Sequence, residues 1–452
     1  MLRGKACLLL CWLGLQLPAA HGVSISEEKT LGRKFDLQAR SKLPLLNDIE
    51  LTSYVNRIGQ KIVAGLGEQP FTYRFYVVRD GRVNAFAVPG GYIYVNGGLL
   101  TRAASDDEIA GVLGHEVAHV HAHHLARQQE ATQILNYATF LGMLLSAVQP
   151  AVGAGAAALQ TATQLEYRRE FEQEADYLGT RYMRQAGYDP RGMLDFLRKM
   201  LDDQHGSPAT ATPYLLSHPL TDKRLTNLEG VLRTHQADGV PRRPRSLDLE
   251  RVQLLVRIRS VPAQEVVADY RRMAEAAPEN AWLQYLLGVA YFEAGLFDSA
   301  LAAFQRAHGT RIPGVERDFG RTLFRLRQSE KALPLLRAAV EVDAADAVAW
   351  FDLARVLQDS GDDVEATRAY GRAVDLAPDF EAAHYSLGVL SGRAGREGDG
   401  YYHLGMAHYL RGELDQAYAQ FQRAEPLAVG ESPRAEDIRA YLTELGEVLG
   451  KR

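Results

Sequence analysis

Hydrophobic and polar positions change rhythm along this chain, and the changes divide it. A period of two runs through TYRFYVV (72–78), VNAFAV (83–88) and YIYV (92–95). These stretches are separated by Asp80 and Gly81 and by Pro89 to Gly91, which predicts the short strands of a small sheet. Ser105, with Glu108 three residues on, then reads as a capping box in front of the apolar run IleAlaGlyValLeu, so a helix should begin there. Residues 131–165 carry no charge, but Gln149, Pro150, Gly153 and Gly155 interrupt them. That pattern favours a helical pair buried against the protein or touching a membrane surface rather than a true span. A second helical region is expected from about Glu166 to Asp203, and the proline- and charge-rich residues 234–245 read as a domain edge.

Beyond that edge the pattern repeats. Trp350, Leu353, Ala354, Ala366, Tyr370, Ala373 and Pro378 have the spacings of a tetratricopeptide unit, and His384, Leu387 and Gly388 restart it 34 residues later. Ala332, Leu336 and Ala339 precede Ala366, Tyr370 and Ala373 by the same step. Further units centre on residues 287–291 with Ala300, Phe304 and Ala307, and on 404–407 with Ala417, Phe421 and Ala424. The step breaks near 395–400, where a helix is lost or a loop inserted. A plain bundle would not keep small residues in phase, so an α-solenoid with a concave binding surface is expected.

Composition changes this picture little. A chain of 452 residues, 46% hydrophobic, is too long for one compact core and too apolar for disorder. A net charge of -5 gives no basic stripe for nucleic acid. The first 22 residues have Arg3 and Lys5, an uncharged run from Ala6 to Leu17, then Ala20 and Gly22 before Val23, which reads as a cleaved export signal. Both cysteines, Cys7 and Cys11, lie inside it, so any metal in the remaining chain must be held by histidine and carboxylate.

GVLGHEVAHVHAHHLAR (111–127) offers such ligands. Residues four apart share a helix face, so His115 and His119 can address one ion while Glu116 flanks it, the HExxH arrangement. His119 and His123 form a rival pair without a flanking carboxylate, and His121, His123 and His124 are expected on the helix flanks or at its end. Catalytic zinc usually takes three protein ligands. EFEQEAD (170–176) can supply the third: Glu172 and Asp176 are again four apart, one to bind and one to orient a liganding histidine, with Glu170 and Glu174 as substitutes for Glu172. The arrangement predicts hydrolysis by metal-activated water, with Glu116 as the base. Asn84, Ala85, Phe86, Ala87 and Val88 could pair with an extended substrate as an added strand.

The order NAFAVPGGYIYVNGGL, HEVAH, EQEAD, SHPLTDKR resembles the HtpX and Oma-type zinc metallopeptidases. With an export signal in front and tetratricopeptide repeats behind, the whole is similar to the periplasmic BepA-type, β-barrel assembly-enhancing proteases. The resemblance implies one zinc per chain, with Glu172 as the third ligand and Asp176 as the aspartate of the motif. It places His218 at the remaining zinc position as a resting-state block, and Arg224 facing the active site. It also implies a periplasmic endopeptidase for misfolded or stalled outer-membrane proteins, whose repeats dock the assembly machinery. A non-proteolytic tetratricopeptide chaperone is the competing class. The expected architecture is mainly α: a signal peptide (1–22), a zincin-like metallopeptidase domain with a small β-sheet (23–233), a linker (234–250) and a repeat solenoid (251–452).

Overall fold

The computed structural model describes residues 24–132, 169–206, 213–234, 240, 245–428 and 433–451. The proposed export signal, nearly all of the uncharged stretch 131–165 and most of 234–245 lie outside them. Among the described residues no helix is long and apolar enough to cross a membrane.

The alternating segments form three strands, β1 (Arg74–Val78), β2 (Ala85–Val88) and β3 (Tyr92–Asn96), in the order β1-β3-β2. β3 runs parallel to β1 and antiparallel to β2, so β2 is an edge. Their two faces are buried differently. Phe75, Val77, Ala85, Ala87, Ile93 and Val95 enter the main core with the Ile49–Val63 and Asp106–His121 helices. Tyr94, Phe86, Val88 and Val78 pack instead on Leu31, Phe35 and Ala39 of the first helix, Ile25–Lys42. The buried Tyr94 hydroxyl donates to Asp36 at 3.0 Å.

Ser105 caps the Asp106–His121 helix by accepting from the Glu108 amide at 3.3 Å. The reciprocal half of the expected capping box is redirected. The Glu108 carboxylate accepts from the Ala104 amide at 2.8 Å and pairs with Lys199 at 2.5 Å, because a buried carboxylate gains more from a cation than from its own cap. The helical region after residue 166 is two helices, Arg169–Gln185 and Arg191–Gly206, both packed on the histidine helix. The approach is close: a Cβ on Gly114 would stand 3.1 Å from the Gly179 carbonyl oxygen, and one on Gly179 3.0 Å from the His115 nitrogen.

From Leu247 onward the chain is helical pairs. The Leu247–Ser260 helix belongs to the same core as the sheet, and its Gln253 donates to the carbonyls of Leu100 and Ala103. Within the pairs, a glycine of one helix sits against the residue sixteen positions on. A Cβ on Gly288 would strike Phe304, one on Gly320 Leu336, one on Gly388 Leu404 and one on Gly405 Phe421. The last two contacts explain the broken step. The Glu397–Arg411 helix packs on both Glu381–Arg393 and Leu414–Ala424, serving as second helix of one pair and first of the next.

An earlier segment of the chain packs on this array. Ile49 packs on the Ala347, Val348 and Phe380 cluster, and the Glu50 carboxylate reaches Arg251, Arg317 and Arg321 at 2.7, 3.0 and 3.5 Å. The start of the Ile49–Val63 helix thus fills part of the surface that the sequence leaves open for partners.

Candidate metal centre

His115 and His119 stand one turn apart on the Asp106–His121 helix, and Glu172 comes from the Arg169–Gln185 helix packed against it. His218 follows the short Pro213–Ser217 helix. All four are buried, and one ligand atom from each lies within 4.8 Å of the others. His115 Nε2 is 2.9 Å from His119 Nε2, 3.3 Å from His218 Nδ1 and 3.5 Å from Glu172 Oε2. Glu172 Oε1 is 3.2 Å from His119 Nε2 and 3.0 Å from His218 Nδ1. Ligands about 2.0–2.1 Å from a tetrahedral zinc are roughly 3.3 Å from one another, so these separations fit the edges of that polyhedron.

The electrostatics favour a cation in the same place. Burial alone would lower the His115 pKa, but Glu172, helped by Asp176, carries it up to about 10. Burial would raise Glu172, yet His218, Arg224 and His115 hold it well below the usual carboxylate range. His119 is pushed down by burial. The cluster therefore offers an ionised carboxylate to whatever positive charge sits between the rings.

Asp176 stands behind the ligands. Its Oδ1 lies 3.0 Å from His115 Nδ1, on the side of the ring away from Glu172. Arg224 grips Asp176 with Nε and Nη2 at 2.8 Å each, places Nη1 2.6 Å from Glu172 Oε2, and donates to the His218 and Pro219 carbonyls. With Nε, Nη1 and Nη2 all engaged, Arg224 braces two carboxylates and the His218 turn rather than pointing into open space.

Glu116 is fully buried, and neither carboxylate oxygen makes a hydrogen bond of good geometry. Burial raises its pKa, opposed by His218, whose Nε2 is 3.4 Å from Oε1, and by the amide of Ala87 on β2. β2 therefore runs beside the base, but Asn84 to Val88 are all buried. A crevice of about 10 Å³ bounded by Glu28, Ala87, Val88, Pro89 and His119 is the space described there.

The rival pair is not assembled, because His123 Nδ1 turns to Glu28 Oε1 at 2.7 Å. His121 faces Gln69 at 3.1 Å. Glu170 is exposed and Glu174 pairs with Arg127, so neither replaces Glu172. His124, expected on a flank, is instead fully buried against His119. Its five-residue offset gives no helical signal, so spacing could not reveal it.

Two histidines on successive turns, a carboxylate from a neighbouring helix and a buried glutamate beside the first histidine define the HExxH metallopeptidase class. Residues 50–232 match the peptidase family M48, and 263–313 and 317–379 match the tetratricopeptide repeat. The chain thus carries an M48 peptidase domain followed by tetratricopeptide repeats. It is 30% identical over 294 residues to a Vibrio cholerae protein named as a beta-barrel assembly-enhancing protease, covering 62% of this chain and 60% of that one. The beta-barrel assembly-enhancing protease of Yersinia pestis is 35% identical over 217 residues, 46% of this chain and 44% of its own. The mitochondrial metalloendopeptidase OMA1 of Schizosaccharomyces pombe is 32% identical over 178 residues, 39% of this chain and 52% of its own. The chain spans about half the length of the curated relatives it matches.

Proposed function

We propose that this chain is an exported zinc endopeptidase that acts in the periplasm on misfolded or stalled proteins and supports outer-membrane protein assembly. The observation that carries the hydrolytic part is the buried, converging set of His115, His119, Glu172 and His218 with Glu116 buried beside it. The names of the relatives and the export-like pattern of residues 1–22 support the cellular part. The repeats and the uncharged stretch 131–165 are proposed as contacts for the assembly machinery and the membrane surface.

His115, His119 and Glu172 would hold one zinc ion, which supplies Lewis acidity at the scissile carbonyl and makes water more acidic. The chain's own residues do the rest. Glu116, its pKa raised by burial, accepts a proton from water and returns it to the leaving amine. Asp176 fixes the ring of His115, and Arg224 fixes Asp176. The edge of β2, buried as it stands, would offer backbone groups to an extended peptide once the first helix moves aside.

Glu116→Gln should keep the metal and lower cleavage of an unfolded substrate by at least ~100-fold, the usual range for a lost general base. Cleavage at the wild-type rate would end this assignment. His218 completes the ligand set through Nδ1 while its Nε2 faces Glu116, which suits a resting-state block. His218→Ala should then change activity with zinc retained; loss of the zinc would make His218 an ordinary ligand.

A further inference from the structure

The helix that carries the two histidines stops at His121, and the next begins at His124. Between them His123 has a left-handed backbone, φ 54°, a conformation that costs a non-glycine residue roughly 1–2 kcal/mol. It is held there by Glu28 at 2.7 Å and by the edge of the Phe71 ring, 5.5 Å between centroids. In an unbroken helix a residue five positions on points about 140° away from His119. The break brings it back: the rings of His119 and His124 are 4.8 Å apart, and their Nδ1 atoms are 2.9 Å apart.

His124 is fully buried and has a second partner, Glu174 Oε2, 3.2 Å from its Nε2. Its ring stacks on Phe171 at 4.6 Å. Arg127 covers Phe171 as well and pairs with Glu174 at 3.0 Å. One set of proton positions satisfies this chain of contacts. His119 turns Nε2 toward Glu172 and His115, so as a ligand it carries its proton on Nδ1. That proton is donated to His124 Nδ1, which leaves His124 protonated on Nε2 and donating to the Glu174 carboxylate.

We propose that His124 and Glu174 are positioning residues for a cation at His119. They set the tautomer and orientation of that imidazole and strengthen it as a donor. His115 receives the same service directly from Asp176, whereas for His119 a second imidazole is interposed between ligand and carboxylate. Such outer partners are commonly worth 10- to 100-fold in metal affinity. The proposal rests on the metal-centre reading, and goes beyond it by naming what makes His119 a competent ligand.

The test is zinc affinity of the full chain, measured by competition with a chromophoric chelator, together with the visible spectrum of the Co²⁺-loaded protein. His124→Leu removes the acceptor and should weaken zinc by about 10- to 100-fold and alter the Co²⁺ bands. His124→Asn puts an amide oxygen near the position of Nδ1 and should recover most of that loss. Glu174→Ala, at the half-exposed end, should weaken zinc severalfold and threatens the fold least. Wild-type affinity in His124→Leu, or equal weakening in His124→Leu and His124→Asn, would overturn the proposal. If His124→Leu does not fold, unchanged affinity in Glu174→Ala does so. A wild-type chain that binds no zinc sinks the metal-centre reading itself, which is a different result from a wild type that binds and variants that bind equally well.

Discussion

Replacing Glu50 by alanine tests how the repeats hold the peptidase domain. The Glu50 side chain is 13% exposed and enters the charged cluster of the repeats from the start of the Ile49–Val63 helix. Its oxygens take a two-pronged grip from Arg251 at 2.7 and 3.0 Å, with Arg317 at 3.0 Å. Asp318 is the other partner of Arg251, at 2.6 Å, and Tyr285 donates to it at 2.8 Å. Burial would raise the Glu50 pKa, but Arg251 and Arg317 pull it well below its ordinary value. The carboxylate's contribution is therefore complete at neutral pH and is lost only as the pH falls through that depressed value. Removing one partner of a buried pair typically costs about 3–5 kcal/mol. Asp318 remains for Arg251 and Arg317, which places Glu50→Ala at the lower end, about 3 kcal/mol. With a urea dependence of about 1–3 kcal/mol per molar, the midpoint should fall by at least ~1 M. Trp282 and Trp350 sit on the repeats, so their fluorescence follows that part of the chain, while zinc release follows the metal centre. The two signals should coincide in the wild type and separate in Glu50→Ala. A shift below about 1 kcal/mol with the two signals still coincident would refute the reasoning.

His403 should make the last repeats sensitive to acid. Burial, with His384 beside it, holds its pKa down to about 3, so the unfolded chain takes up a proton that the folded chain refuses. Stability should fall as the pH drops from about 6.5 toward 3, by up to ~1.4 kcal/mol per unit, and His403→Asn should flatten that slope in pH-dependent urea melts. An unchanged slope would count against it. Gly32→Ala should lift the first helix from the Pro89–Gly90 turn, since its Cβ would stand 1.9 Å from the Pro89 carbonyl oxygen. Limited proteolysis should then cut within 24–48 faster than in the wild type; equal protection would show that the turn gives way instead.

The sequence made the local periods legible and left the distant meetings hidden. The three strands, the helix of His115 and His119, and the pairing of Glu172 with Asp176 follow from periods of two and 3.6, which a few residues can display. The repeat step showed itself for the same reason, down to the break near residue 395. Glu108 could be read as half of a capping box but not as the partner of Lys199, 91 residues away. His124 could not be placed because its position depends on one left-handed residue, and that residue is held by Glu28 from another helix. Nor could Ile49 and Glu50 be seen as occupants of the repeat array, since nothing in their own neighbourhood marks them. Features set by one helix or strand were recoverable, and features set by two segments far apart in the chain were not.

The same distinction bears on how a substrate would reach Glu116. A peptide added to β2 needs about 4.8 Å of lateral room along several residues. The crevice beside Ala87, Val88 and His119 offers about 10 Å³, and Glu28 of the first helix is one of its walls. That helix is pinned at both ends of its path. Near its start Glu28 holds His123, and a Cβ on Gly32 would meet Pro89; further on, Leu37 packs with Met406, Tyr409, Phe421 and Ile438 of the last repeats. Repeat residues between Arg251 and Phe380 grip the peptidase domain through Ile49 and Glu50, and the last repeats grip it through Leu37. Among the described residues, then, room for a strand at β2 comes from moving a helix whose far side belongs to the repeat array. Leu37, at the far side of that helix, is itself buried in the packing of the last repeats.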